Sequence, residues 1–123
     1  MGKELKMKTT ITIAMIGILA MLPDAPQRTL TASWYGERYN GRKTASGEVF
    51  DAAKHTAASW DYPLGTKLRV WNGPRFVVVT VNDRGPAKRL LGTRQLDLSL
   101  AAFTRLADPA AGLLHNLKVE VVK

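Results

Sequence analysis

The chain has 123 residues, of which 46% are hydrophobic and 23% charged, and a formal net charge of +8 at pH 7. This length and composition suit one globular domain with a modest core and exclude an arrangement of two full domains. Because the sequence contains no cysteine, disulfides, thiolate metal sites, a cysteine nucleophile and lipid attachment at cysteine are also excluded.

The N-terminal segment has the pattern of a signal peptide. A basic head with Lys3, Lys6 and Lys8 precedes the apolar run ITIAMIGILAML. This run is too short to cross a hydrocarbon core, which needs about 20 apolar residues. We therefore expect residues 1–25 to be a signal peptide or hydrophobic leader, with no stable transmembrane span after processing. A buried N-terminal helix or an uncleaved anchor is the alternative.

The positive charge belongs to the expected domain, residues 26–123, which keeps fifteen basic and eight acidic residues. A basic surface attracts polyanions, so nucleic acid, anionic lipid and the acidic polymers of a cell envelope are candidate partners. Because the leader predicts export to the periplasm or the medium, anionic lipid and the acidic polymers of the cell envelope are the favoured partners. No recognition motif for nucleic acid occurs, and we expect no nucleic-acid partner.

The first elements of the domain are strands. Residues 28–35, RTLTASWY, are rich in threonine and aromatic residues and predict a strand, and the polar, glycine-containing residues 36–47 predict an exposed loop. Two β-branched runs at 66–72 and 76–82, joined through Gly73 and Pro74, predict a β-hairpin.

The C-terminal third predicts a loop, one helix and one strand. After a polar segment that begins at Asp83, Ser99 is a good N-cap for a helix in which Leu100, Phe103 and Leu106 share one face. The alternating residues 117–123 predict a half-buried strand. The pattern as a whole predicts a mostly β fold with one helix, which suits a compact barrel.

Two carboxylates stand where a strand meets a loop: Glu48 after TASG, and Asp83 before Arg84-Gly85-Pro86. A carboxylate at a rigid strand end, half screened from water, can have its pKa raised enough to donate a proton near neutral pH. Glycosidic cleavage ordinarily uses two carboxyl groups, which this pair could supply. In the alternative interpretation, Asp83 caps its own turn and pairs with Arg84, and Glu48 is a solvated loop residue.

Six motifs in order favour the functional interpretation: ASWYG at 32–36, TASGEVFD at 44–51, TAA at 56–58, PLGT at 63–66, VNDRGP at 81–86 and DLS at 97–99. Together they resemble the double-psi β-barrel domain of the rare lipoprotein A (RlpA) family over residues 29–122. The resemblance implies a six-stranded double-psi β-barrel with one or two short helices, similar to barwin and expansin domains.

The resemblance also implies an activity. Characterised family members are endolytic lytic transglycosylases that cleave peptidoglycan glycan strands, preferentially those without stem peptides, and leave 1,6-anhydromuramoyl ends. The family's catalytic Glu and Asp match Glu48 and Asp83. We expect a monomer that acts on glycan strands and uses no cofactor or metal. The alternative is a wall-glycan-binding module without turnover, as in expansins.

Further residues are candidates for substrate binding. Ser46 and Asn82 flank the two acids and could bind a sugar hydroxyl or a carboxylate, or serve as turn residues. The aromatic rings of Tyr35 and Tyr39 offer sugar-stacking faces, as do those of Trp60, Tyr62 and Trp71. Trp34 and Trp71 are expected in the core. Arg84 is expected at the cleft, together with Lys88, Arg89 and Arg94.

Three positions are assigned structural or surface roles. Many family members have His after TAA, where this chain has Ser59, which puts the role of that His in doubt. His55 and His115 are interpreted as surface residues. Asp97 is interpreted as a local cap at the helix start or as one half of a buried pair with an arginine.

Overall fold

The computed structural model describes residues 29–85 and 94–123. The elements are β1 (Thr29–Tyr35), β2 (Thr56–Ala58), β3 (Lys67–Asn72), β4 (Arg75–Asp83), β5 (Leu96–Ser99), the helix α1 (Leu100–Leu106) and β6 (Leu114–Val121), with short 3-10 turns at Glu37–Tyr39 and Pro109–Ala111. The expected leader, residues 1–25, lies outside the described residues, as do Lys88 and Arg89.

The six strands form a closed barrel in the order β1-β5-β2-β4-β3-β6. The pairs β1/β5 and β2/β4 are parallel, and the remaining four pairs are antiparallel. Closure leaves no unpaired sheet edge, which removes the hazard of edge-to-edge association. The prediction of a mostly β, six-stranded barrel with short helices is confirmed.

The predicted hairpin is β3 and β4, which pair from Lys67↔Thr80 to Asn72↔Arg75. Gly73 is the first residue of the two-residue turn and has φ +58°, a conformation that favours glycine. Period-two alternation turns Leu68 and Val70 into the barrel.

The same alternation corrects the expectation that Trp71 is a core residue. Trp71 follows the inward-facing Val70, so its ring lies on the outside of the barrel against Phe76, with the ring centroids 4.7 Å apart. Trp34 does pack against the core, where its ring lies 6.4 Å from that of Phe103 and its indole N–H donates to the Pro109 carbonyl at 2.9 Å.

The helix α1 begins at the predicted N-cap. The Ser99 hydroxyl accepts a hydrogen bond from the amide of Ala102, and the buried face presents Ala102, Phe103 and Leu106 to the barrel. In the part of the chain that the structure describes, no helix is long and apolar enough to cross a membrane.

Sequence patterns missed two strands, β2 and β5, and placed the start of β6 three residues late. β2 is three residues long and entirely buried, and β5 is four residues long. Strands this short contain too few residues for alternation to be recognised, since the pattern needs about 4–8 residues. They are nevertheless central, because β5 pairs with β1 and β2, and β2 pairs with β4.

Candidate active site

Asp83, the last residue of β4, is held by backbone amides. Its Oδ1 accepts hydrogen bonds from the amide of Arg84 at 2.8 Å and from the amide of Ala45 at 3.1 Å. Within residues 29–85 and 94–123, no donor reaches its other carboxylate oxygen. One oxygen therefore fixes the orientation of the carboxyl group and the other is open to a ligand.

The backbone around Asp83 is distorted in a way that requires Gly85. The β2/β4 register shifts between Ala57 and Ala58, so that Ala58 pairs with Asp83. Gly85 has φ +98°, and a Cβ there would lie 3.0 Å from the carbonyl carbon and oxygen of Ala58. Bulges of this kind re-aim side chains near active sites.

Glu48 lies in a turn bound to the end of β4. Its carbonyl accepts from the amide of Thr44 at 2.9 Å and from the Thr44 hydroxyl at 2.7 Å, which closes the turn. Its carboxylate Oε1 accepts from the Asn82 side-chain amide at 2.8 Å, and the Asn82 carbonyl accepts from the amide of Ser46 at 3.1 Å. The structure thus brings together the four residues Ser46, Glu48, Asn82 and Asp83.

Within this group, Ser46 and Asn82 make internal contacts. The Ser46 hydroxyl accepts from the amide of Glu48 at 3.2 Å and lies 2.9 Å from the Thr44 hydroxyl. Asn82 is 3% exposed, and its Oδ1 is buried without a partner among the described residues. The Ser46 side chain therefore stabilises the turn internally, and the Asn82 side chain binds the turn to β4, while the Glu48 side chain is exposed.

A cavity of about 330 Å³ opens beside Asp83. Besides Asp83, its walls are formed by aromatic, basic and small residues and by a second acid, Asp97: Tyr35, Tyr39, Arg42, Lys43, Thr44, Phe50, Ala58, Gly85 and Asp97. A neighbouring cavity of about 480 Å³ shares Tyr35, Tyr39 and Asp97 with the first. The two cavities together form a cleft, and Glu48 lines neither of them.

Asp97 corrects an expectation from the sequence. It lies in β5, not at a helix start, and Ser99 alone caps α1. Its Oδ1 accepts a hydrogen bond from the Ser33 hydroxyl, and within the described residues no arginine or lysine forms an ion pair with it. Asp97 is half-buried and faces the cleft. Sequence comparison missed this position in the cleft because the motif DLS is also typical of a helix start.

Tyr35 lines the same cavity as the two acids. Burial raises the pKa of its hydroxyl well above the usual range, and the charges of Asp83 and Asp97 raise it further. The Thr56 hydroxyl opposes this shift, but the geometry falls short of a hydrogen bond, and both hydroxyls are buried without a partner among the described residues. Tyr35 is therefore a neutral donor at the base of the cleft.

Two of the predicted sugar-stacking rings, those of Tyr35 and Tyr39, already contact other side chains. Tyr35 stacks on Phe50 with centroids 4.3 Å apart, and guanidinium groups of Arg38 and Arg42 lie 4.8 Å and 5.3 Å from the Tyr39 ring centroid. Trp60 is exposed but does not line the cleft. These contacts favour hydrogen bonding over ring stacking for Tyr35.

The remaining predicted residues lie around the cleft or on the surface. Arg84 is half-buried, and its guanidinium donates to the Tyr62 carbonyl at 3.4 Å. Ser59, in the position of the family His, is fully buried, and its amide donates to the Asp83 carbonyl at 2.9 Å. Arg94 lines the second cavity. His55 and His115 are exposed, as expected.

The closed six-stranded barrel and its acid-lined cleft define a double-psi β-barrel domain. The chain belongs to the lytic transglycolase family of such domains, which matches residues 27–118.

Named relatives agree with this family. The endolytic peptidoglycan transglycosylase RlpA of Neisseria meningitidis is 41% identical over 97 residues, which cover 77% of this chain and 39% of that protein. The protein of the same name from Pseudomonas aeruginosa is 42% identical over 92 residues, 73% of this chain and 26% of its own length. The chain thus spans less than half of these relatives.

Solved structures share the fold. The Streptomyces papain inhibitor superposes with a TM-score of 0.63 at 25% identity, over 78% of this chain and 94% of that chain. The apo expansin of Clavibacter michiganensis superposes with a TM-score of 0.57 at 27% identity, over 78% of this chain and 51% of that chain.

Proposed function

We propose that this domain is an endolytic peptidoglycan lytic transglycosylase. It cleaves the β-1,4 bond between N-acetylmuramic acid and N-acetylglucosamine, preferentially in strands without stem peptides, and leaves a 1,6-anhydromuramoyl end. Family membership and the names of the relatives support this proposal. The structural observation that carries it is Asp83, whose carboxyl group is oriented by two backbone amides and keeps one oxygen open beside the cleft.

Asp83 supplies the proton chemistry. In its protonated form it donates a proton to the glycosidic oxygen while the bond from that oxygen to the muramoyl anomeric carbon breaks. N-acetylglucosamine leaves with a free 4-hydroxyl group. The 6-hydroxyl of the same muramoyl residue then bonds to the anomeric carbon and returns its proton to the Asp83 carboxylate. No water is consumed, and Asp83 ends the cycle protonated.

Glu48 is the second carboxylate that the family resemblance implies. Its bond to Asn82 and the closed turn around it support a role in holding the loop that delivers the Ala45 amide to Asp83. Ser46 and Asn82 complete this support. Ser46 is exposed beside the acids and would be the one of the two to meet a sugar, because Asn82 is buried and its side-chain amide binds Glu48. Tyr35 and Tyr39 line both cavities and would contact the bound glycan. Arg84, the other predicted binding residue, lines neither cavity, and its guanidinium donates to the Tyr62 carbonyl.

The cationic character of the domain suits its proposed substrate. Arg42 and Lys43 line the first cavity, and among the residues that the structure describes neither has a carboxylate within salt-bridge distance. Stripped strands carry a free lactyl carboxylate on each muramoyl residue, which such cations attract. We place the protein in the cell envelope, secreted or periplasmic, as a monomer.

An expansin-like glycan-binding module is the second candidate, favoured by the shared fold with the Clavibacter expansin. Both candidates require a cleft that binds a glycan, and only the first requires turnover. Product formation therefore separates them.

The test uses the complete chain and amidase-stripped glycan strands, with soluble products identified by mass spectrometry. We expect anhydro-ended fragments from the wild type and a loss of at least about 100-fold in Asp83→Asn. The variant should fold, because an amide oxygen can still accept from Ala45 and Arg84. Asp108→Asn, an exposed cap outside the cleft, is the matched control. Binding without products from folded wild-type protein would reject the transglycosylase and leave the binding module.

A further inference from the structure

Strand register places a second acid next to Asp83. Ser33 pairs with Asp97 across β1/β5, Asp97 pairs with Ala58 across β5/β2, and Ala58 pairs with Asp83 across β2/β4. These four residues form one row across adjacent strands. Two strand spacings separate the Cα atoms of Asp97 and Asp83, about 10 Å.

The residue between the two acids is small. Ala58 lines the first cavity together with both acids, so its methyl group forms part of the cavity floor and the carboxyl groups stand on either side. Such an arrangement leaves space for a sugar ring above Ala58 with one acid at each side. Glu48 has no comparable position, because its carboxylate binds Asn82 and lines neither cavity.

Asp97 is anchored in the same manner as Asp83. One carboxylate oxygen accepts from the Ser33 hydroxyl, and within the described parts of the chain the other has no donor. A structural carboxylate at a half-buried position would be expected to use both oxygens or to pair with a cation. Asp97 instead lines both cavities.

Tyr35 adds a donor at the same place. Its hydroxyl oxygen is buried and has no hydrogen-bond partner among the described residues, and Tyr35 lines the same cavity as both acids. Buried hydroxyl groups are ordinarily hydrogen-bonded, so a partner from a bound molecule would satisfy it. A sugar oxygen seated above Ala58 is an acceptor of the right kind.

The geometry points to Asp97 as a further catalytic residue. Its carboxylate faces the sugar from the side opposite Asp83 and stabilises the positive charge that develops at the anomeric carbon. Tyr35 donates a hydrogen bond to the same sugar. This inference rests on the proposed lytic activity. In this role Asp97 exchanges no proton, so the proton transfers remain with Asp83. Opposite charge placed in advance at the reacting carbon is effective because it needs no reorganisation during the reaction.

The experiment compares kcat and KM of Asp97→Asn, Ser33→Ala and Tyr35→Phe on amidase-stripped strands, with Asp108→Asn as control. We expect Asp97→Asn to lower kcat about 100-fold or more. Ser33→Ala keeps the charge but frees the anchored oxygen, and should lower kcat about tenfold. Tyr35→Phe should lower kcat/KM about tenfold through the lost hydrogen bond. Binding of stripped strands by Asp97→Asn, measured separately, should stay within about threefold of the wild type.

The outcomes separate this inference from the proposed function. An active wild type with full kcat in both folded Asp97→Asn and Ser33→Ala would overturn the role of Asp97 and leave the transglycosylase intact. A wild type that binds but forms no anhydro product would overturn both. If Asp97→Asn does not fold, Ser33→Ala decides: unchanged kcat rejects the role, and reduced kcat with unchanged binding supports it.

Discussion

Asp83 and Asp97 stand on either side of Ala58 in one row of the barrel, although they belong to strands that are not neighbours. Each has one carboxylate oxygen held by the protein, Asp83 by backbone amides and Asp97 by a serine hydroxyl. The closed barrel fixes their separation, because β2 pairs with both of their strands. Substitutions that disturb this frame should therefore affect the site as well as stability.

Gly85→Ala should destabilise the fold by about 2–3 kcal/mol, since the new Cβ meets the Ala58 carbonyl at 3.0 Å and φ is +98°. Activity should also fall, because the Ala58 and Asp83 pairing must shift. Gly41→Ala is the matched control: its φ is +87°, but nothing lies within 4 Å of the new Cβ. We expect only about 1 kcal/mol there. Urea unfolding measures both, and equal losses would show that the contact with Ala58 is unimportant.

Asn82→Ala should lower the free energy of unfolding by about 1–2 kcal/mol, because it removes the hydrogen bond to Glu48 and leaves a small cavity in place of the side chain. Because Glu48 is exposed, Glu48→Ala alone should cost less. A double-mutant cycle should show a favourable coupling of about 0.5–1.5 kcal/mol between the two. Strict additivity in urea unfolding would mean that the Asn82–Glu48 hydrogen bond does not hold the turn to the barrel.

Phe103→Ala should cost about 3–5 kcal/mol, because Phe103 is 0% exposed and carries the packing of α1 against the barrel. Phe76 is 46% exposed, and Phe76→Ala should cost far less. Thermal unfolding monitored by circular dichroism compares the two. A similar loss of stability in both variants would argue against the packing of α1 on the barrel as a main source of stability.

Tyr35 should make stability depend on pH in the alkaline range. The raised pKa of its hydroxyl means that the unfolded chain loses this proton first, above about pH 10. Below that pH the folded and unfolded states both hold the proton, so the contribution of the Tyr35 hydroxyl to the free energy of unfolding is fully present. Above it, the free energy of unfolding should fall by up to about 1.4 kcal/mol per pH unit. Tyr35→Phe removes this component, so parallel pH profiles of the two proteins in urea unfolding would contradict the burial of the hydroxyl.

Sequence patterns were sufficient for the longer elements. The β3–β4 hairpin, the helix with its Ser99 cap and the alternating β6 follow from side-chain periodicity and local capping, which act between near neighbours. The short strands β2 and β5 were missed because three or four residues are too few to establish a period-two pattern. Trp71 was misplaced because hydrophobicity alone does not state which face of a strand a ring occupies.

The residues of the candidate site likewise fall into some that local motifs predict and others that only the tertiary structure identifies. Residues with strong local motifs, Glu48 and Asp83, could be singled out from the chain, and the family could be inferred from motif order. Asp97 could not be assigned, because the sequence DLS is equally typical of a helix start. Its relation to Asp83 depends on pairing across β2, which no local pattern contains.

Local chemistry therefore decided which residue types, turns and amphipathic faces this chain carries, including the two acidic motifs and the helix cap. The closed barrel alone decided which acids share a cleft and which side chains are already engaged by the protein. The physical reason is that strand register is a long-range property: residues 33, 58, 83 and 97 form one row only because β1 pairs with β5, β5 with β2 and β2 with β4, strands that lie far apart in the sequence.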